Sequence, residues 1–157
     1  MKFKKIDKRI IYGIVIVILF IIVILLLLSH KTMKCTSTTK QKNYTLETQY
    51  IVKAIGNKVK KVKINETITS KDEELLKKYE EQLKEQYEYN KKTYGGYKFK
   101  VTNKNGKVKS NVEINYNKID MEKFITDNEA MKTYSKNNKF TLDGAKKLYA
   151  STGAVCK

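Results

Sequence analysis

Two cysteines, Cys35 and Cys156, are the residues whose type and placement point most directly to chemistry. They bracket almost the whole polar part of a 157-residue chain, one shortly after a long apolar run and one at the penultimate position. In an oxidising compartment such a pair becomes a disulfide that ties together the two ends of a domain. Closing a loop of about 120 residues contributes roughly 5 kcal/mol in the chain-entropy account, comparable with the whole stability of a small domain. Two free thiols, or lipidation of Cys35, are the competing fates. A lipid-carrying cysteine wants small residues just before it, and Met33-Lys34 does not supply them.

The other reactive side chains do not assemble into a catalytic set. His30 is the single histidine and stands beside the apolar run, so neither a Ser/His/Asp triad nor a multi-histidine metal site can form. The sequence has no phosphate-binding glycine loop, zinc-ligand spacing or EF-hand loop. Glu73/Glu74 and Glu80/Glu81 are carboxylate pairs in a charge-rich segment, where a solvated helix face is commoner than acid/base work. No enzymatic activity, cofactor or metal is therefore expected, and a small envelope hydrolase ranks third among the functional readings.

Lysine supplies 32 of the 33 basic residues, against 16 acidic ones, and the formal net charge is +17. Such a charge attracts polyanions or an anionic surface. Lys98, Lys100, Lys104, Lys107 and Lys109 share one face or the tip of a predicted hairpin and are the candidate anion-binding residues. The plainer alternative is a solvated lysine coat that keeps a domain with a thin core in solution. Arginine, whose forked donors suit phosphate and base edges, occurs only at Arg9, which argues against specific nucleic-acid recognition.

The elements that must position these residues can be read from the hydrophobic pattern. Ile10 to Leu28 is apolar apart from Gly13 and as a helix would be about 28 Å long, close to the roughly 30 Å core of a bilayer. The expectation is a transmembrane signal-anchor helix over 10–28, with the lipid bilayer as a partner. Lys2, Lys4, Lys5, Lys8 and Arg9 precede it, making 1–9 a cytoplasmic basic tail and placing the C-terminal part outside. Residues 29–43 lack periodicity and are expected to form a polar tether, followed by an extracytoplasmic α+β domain over 44–157.

Within that domain Tyr44, Leu46, Tyr50, Val52 and Ala54 alternate, Gly56-Asn57 makes a turn, and Val62, Ile64 and Ile68 alternate again, giving a first hairpin. Val59 is out of phase, which suggests that strand pairing begins after it or contains a bulge. Ser70 with Glu73 reads as a capping box for an amphipathic helix over 71–92. Asn105-Gly106 is a type I′ pair between alternating flanks, which sets the second hairpin in a register with Tyr97 facing Ile114 and Lys104 facing Lys107. Asp120 and Thr141 can cap two last helices, the second stopped by Gly153. The order ββαββαα predicts two antiparallel hairpins with helices packed on one sheet face.

With Cys35 leading, the pattern NKVKKVKI (57–64), the helix after Ser70, VEINYNKID (112–120) and the ending LDGAKKLYASTGAVCK (142–157), the chain resembles the YehR-type family of small bacterial lipoproteins of unknown function. It is similar as well to kindred Cys-bracketed extracytoplasmic proteins of low-GC Gram-positive bacteria. The resemblance implies an α+β fold and an envelope location, and it implies no activity. The expected function is a membrane-anchored extracytoplasmic binding or accessory module with an unknown protein partner. The second reading is a surface protein that binds nucleic acid or a teichoic-type polymer through its lysine face.

Overall fold

The computed structural model describes residues 8–157. It is an α+β structure whose centre is one antiparallel sheet of six strands in the order β4-β5-β3-β2-β1-β8. In chain order, α1 (Lys8–Ser29) leads into β1 (His30–Lys40), β2 (Tyr44–Ile55) and β3 (Lys58–Ser70). Helix α2 (Glu73–Tyr94) precedes the hairpin of β4 (Tyr97–Lys104) and β5 (Lys107–Asn115). After it come α3 (Met121–Asp127), α4 (Glu129–Tyr134), a small hairpin of β6 (Ser135–Lys136) and β7 (Lys139–Phe140), α5 (Leu142–Ser151) and β8 (Val155–Cys156).

Period-two alternation decides which way each strand faces. Cys35 lies opposite Tyr50, Tyr50 opposite Ile64, Ile64 opposite Val112, and Val112 opposite Phe99, so five strands turn the same row inward. Two clusters cover that face. Ile68 and Val108 pack against Leu76 and Leu83 of α2; Cys35, Val52, Val62 and Ile114 pack with Phe124, Met131, Phe140, Ala145 and Tyr149 of the later elements. The opposite face carries no helix from these clusters. The register of the second hairpin is the expected one, from Tyr97–Ile114 to Lys104–Lys107, and the ladder of β2 and β3 shifts between Lys53 and Ala54 near Val59, as the phase of that residue suggests.

Several expectations are corrected. Residues 29–43 are not a tether: an eleven-residue strand, β1, occupies most of them and pairs along its whole length with β2. The strand could escape notice because it buries only Met33 and Cys35 and presents threonines and lysines elsewhere. It needs no more, because its other side meets only the two residues of β8. The two expected hairpins share one sheet, since β3 joins β5 along nine residue pairs.

A further correction concerns the membrane. Among the described residues no helix is long and apolar enough to cross a membrane. The signal-anchor helix expected over 10–28 is overturned by that finding. Of the expected basic tail, residues 1–7 lie outside the described residues, and Lys8 and Arg9 begin α1.

Local signals at helix ends mostly act where expected. The carboxylate of Asp120 accepts from the Lys123 N–H at 3.1 Å, and the Thr141 hydroxyl accepts from the Gly144 N–H at 3.0 Å. For α2 the cap is Asp72, which accepts from the Leu75 N–H. Ser70 instead accepts from the Asp72 N–H and donates to the Asn43 carbonyl, tying the start of α2 to the turn before β2. The helix begun by Asp120 breaks at Asn128, whose side-chain amide donates to the Phe124 carbonyl at 2.8 Å and whose backbone is extended.

Candidate functional site

The helix-free face of the sheet gathers most of the candidate residues. Because β4 and β5 alternate, Phe99, Val101, Val108 and Val112 turn inward and Lys98, Lys100 and Lys109 turn outward, all exposed. Lys104 and Lys107 pair at the tip, flanking a turn in which Asn105 has φ 54° and Gly106 φ 68°. The sheet order then adds lysines that were not singled out from the sequence. Lys63 of β3 lies opposite Glu113 of β5 and opposite Ile51 of β2, which in turn faces Lys34 of β1. Lys61 lies opposite Lys53 one row away, and Lys40 lies at the other end of β1. The signal for them was present as alternation in KKVKI (60–64), but only the β3–β5 pairing puts them beside the second hairpin.

Two carboxylates share this face among the described residues, Glu47 and Glu113. Glu113 accepts from the Lys61 ammonium at 2.7 Å and lies 3.6 Å from that of Lys63. Between the more basic rows runs one that is neutral from β1 to β5, Thr36, Gln49, Asn65 and Asn111, before Lys100 of β4 ends it; in it the Asn65 amide donates to Gln49 at 3.1 Å. Same-face residues repeat about every 6.8 Å along a strand and about every 4.8 Å across strands. The result is a broad, shallow array of ammonium groups on a polar floor, open to an extended chain and too flat to enclose a small molecule.

The Lys61 hydrogen bond, outweighing a small desolvation effect and aided by the Lys61 and Lys63 charges, holds the Glu113 carboxyl below its ordinary 4.5. A carboxyl lowered in the folded state contributes stability above its unfolded value and loses that contribution as pH falls through the folded value. An NMR titration of side-chain carboxyl carbons should show Glu113 titrating below 4.5, and Lys61→Gln should move it back upward. An unmoved midpoint would mean that the pair is not formed in solution.

The second candidate pair forms a disulfide. Cys35, fully buried, is bonded to Cys156, 121 positions away. The bond links facing residues of β1 and β8, between the mutual backbone hydrogen bonds of Lys34 and Lys157 on one side and the Thr36–Val155 pair on the other. This is a non-hydrogen-bonded antiparallel pair, the place where facing side chains come closest; the Cα atoms are 3.9 Å apart, nearer than the roughly 4.4 to 6.8 Å of most disulfides. Glu74 and Glu80 form i,i+4 ion pairs with Lys78 and Lys84 on exposed turns of α2, and His30 opens β1 opposite Ile55. No group of three or more His, Cys, Asp or Glu side chains suited to a metal ion occurs among the described residues.

No family model matches the chain, and no curated protein matches it. Among solved structures it is similar to the NMR structure of the YehR protein of E. coli, with a TM-score of 0.54 and 16% identity over 80% of this chain and 91% of that one. It is also similar to the NMR structure of a protein from Streptococcus pneumoniae TIGR4, with a TM-score of 0.47 and 13% identity over 82% of this chain and 85% of that one. The likeness to the E. coli protein is one of fold: the chain has a YehR-like fold.

Proposed function

We propose that this protein is a binding or accessory module of the bacterial cell envelope, working outside the cytoplasm, and that it engages an anionic envelope polymer of the teichoic type through its open lysine face. The observation that carries the reading is the gathering of lysines from β1 to β5 on one face of the sheet, where among the described residues Glu47 and Glu113 are the carboxylates in opposition. Ammonium groups repeating along strands suit a chain of phosphodiesters, and lysine acts there as a point charge without base readout. The disulfide supports the location, because cytoplasmic thiols are kept reduced. The shared fold and the leading cysteine support kinship with YehR-type lipoproteins.

Binding of purified protein to a teichoic-type polymer and to single-stranded DNA, measured across a salt series, tests this. The triple variant Lys98→Gln, Lys100→Gln, Lys109→Gln should lower affinity for both by about tenfold at low salt and reduce the slope of log affinity against log salt by about 2. Its melting temperature should stay within a few degrees, because these side chains are exposed. Tight binding that ignores salt, or an unchanged slope in the variant, would remove the lysine face from the mechanism.

A further inference from the structure

The helix-covered side of the sheet holds a second, chemically opposite surface. Helix α2 anchors to β3 and β5 through Leu76 and Leu83, and α5 packs Tyr149 onto Tyr50 with ring centroids 4.1 Å apart. Between these supports a hollow of about 420 Å³ opens along one flank of α2, with Glu66 of β3 in its lining. Tyr79 donates its hydroxyl to Glu66, and Tyr50, Tyr87 and Tyr97 complete the aromatic wall. Burial pushes the phenols of Tyr79, Tyr50 and Tyr87 upward, so they remain neutral donors and acceptors.

Its composition excludes one class of ligand. Among the described residues no lysine or arginine borders this hollow, and Glu66 is the one carboxylate in its lining. An anion has nothing to meet here. The α2 side is a line of amides, Gln82, Gln86 and Asn90, at i, i+4 and i+8 and so about 6 Å apart. Among the described residues none of the three side chains has a hydrogen-bond partner, so their donors and acceptors face the hollow or solvent. A second hollow of about 500 Å³, sharing Tyr79 and Gln82, continues the groove toward Leu75; Asp72, Glu74 and Lys78 rim it, and there the Lys78 ammonium is paired with Glu74 at 2.8 Å. From Leu75 to Asn90 the helix runs about 22 Å, enough for several sugar rings in line.

We infer that this groove is a binding site for a neutral glycan chain, with the tyrosine rings receiving the apolar faces of the sugars and the amide line and Glu66 bonding their hydroxyl groups. Planar amides and a carboxylate offer paired donors and acceptors to hydroxyls, and tyrosine combines an apolar body with a polar tip. The site binds without hydrolysing: glycoside cleavage uses two carboxyl groups flanking the bond, whereas of the three along the groove Asp72 caps α2, Glu74 pairs with Lys78 and Glu66 accepts from Tyr79. It stands independently of the lysine face, on the other side of the sheet.

The test uses the full chain with two uncharged probes, a tetramer of N-acetylglucosamine and a tetramer of glucose, followed by NMR shift mapping and calorimetry. At least one should bind at millimolar concentration or better, shift the backbone signals of Glu66, Gln82, Gln86 and Asn90, and be insensitive to salt. Gln86→Ala, at an exposed position, should weaken binding about fivefold while leaving the melting temperature unchanged. Glu66→Gln should weaken it as well. Absence of binding by both probes, or shifts confined to the lysine face, would overturn the inference. So would preferential binding of tetramethylammonium abolished by Glu66→Gln, which would make the groove a cation site.

Discussion

Replacing Cys156 with serine should lower the free energy of unfolding by about 2 to 5 kcal/mol. The disulfide closes a separation of 121 positions, so the unfolded chain of the variant gains the freedom of a long open loop. The folded side loses too. Strand β8 has two residues and joins the sheet only through β1, so without its covalent link the chain after α5 has little to hold it there. Cys35 stays behind as a fully buried thiol, which its apolar surroundings accept without a charge cost. Urea unfolding of oxidised wild type and Cys156→Ser should therefore give a lower midpoint for the variant. Its m-value should be larger, because an uncrosslinked unfolded chain exposes more surface. Intact wild-type protein should weigh two hydrogens less than its reduced form. Equal midpoints, or two freely alkylated thiols in native protein, would show that the two ends of the domain are not joined.

Gly144→Ala should destabilise the fold by about 3 kcal/mol, the opposite of what helix propensity alone would give. Gly144 lies inside α5, where alanine is usually favoured over glycine by about 1 kcal/mol. A Cβ built at this position would lie 1.8 Å from the Tyr134 carbonyl oxygen and 2.9 Å from the Thr141 hydroxyl. Backbone cannot swing aside as a side chain does, so the end of α4 and the start of α5 must separate. That separation opens the packing of Met131 and Ala145, both buried in the larger cluster. Thermal unfolding should show a fall of roughly 6 to 12 °C. An equal or higher midpoint would mean that α4 moves away at no cost, and that this contact does not set the spacing of the two helices.

What was legible in the sequence is what is local. The Asn105-Gly106 turn fixes the pairing of its own flanks, so Tyr97 finds Ile114 without help from the rest of the chain. Asp120 and Thr141 act within one helical turn, and their roles follow from spacing alone. The pairing of β3 with β5 is different, because it joins two hairpins across the whole of α2 and no short motif records it. With it went half of the lysine face: Lys61 and Lys63 are visible in the sequence, but their neighbourhood with Glu113 is not. Strand β1 was hidden for a related reason, since two buried residues in eleven suffice once β2 supplies a full-length partner. The groove beside Glu66 depends on where α2 lies over the sheet, which the amphipathic pattern of 71–92 does not record.

The connection of α1 to β1 has a mechanical meaning. Ser29 ends the helix and His30 begins the strand, so nothing slack lies between them. Tension applied between α1 and Lys157 would run down the first residues of β1 to Cys35, cross the disulfide to Cys156, and leave by the last residue. Residues 36–155 would lie off that line. Roughly 400 Å of chain would thereby be withheld from extension, and the sheet with both of its surfaces would keep its shape under a pull that would unravel the same fold with its sulfurs reduced.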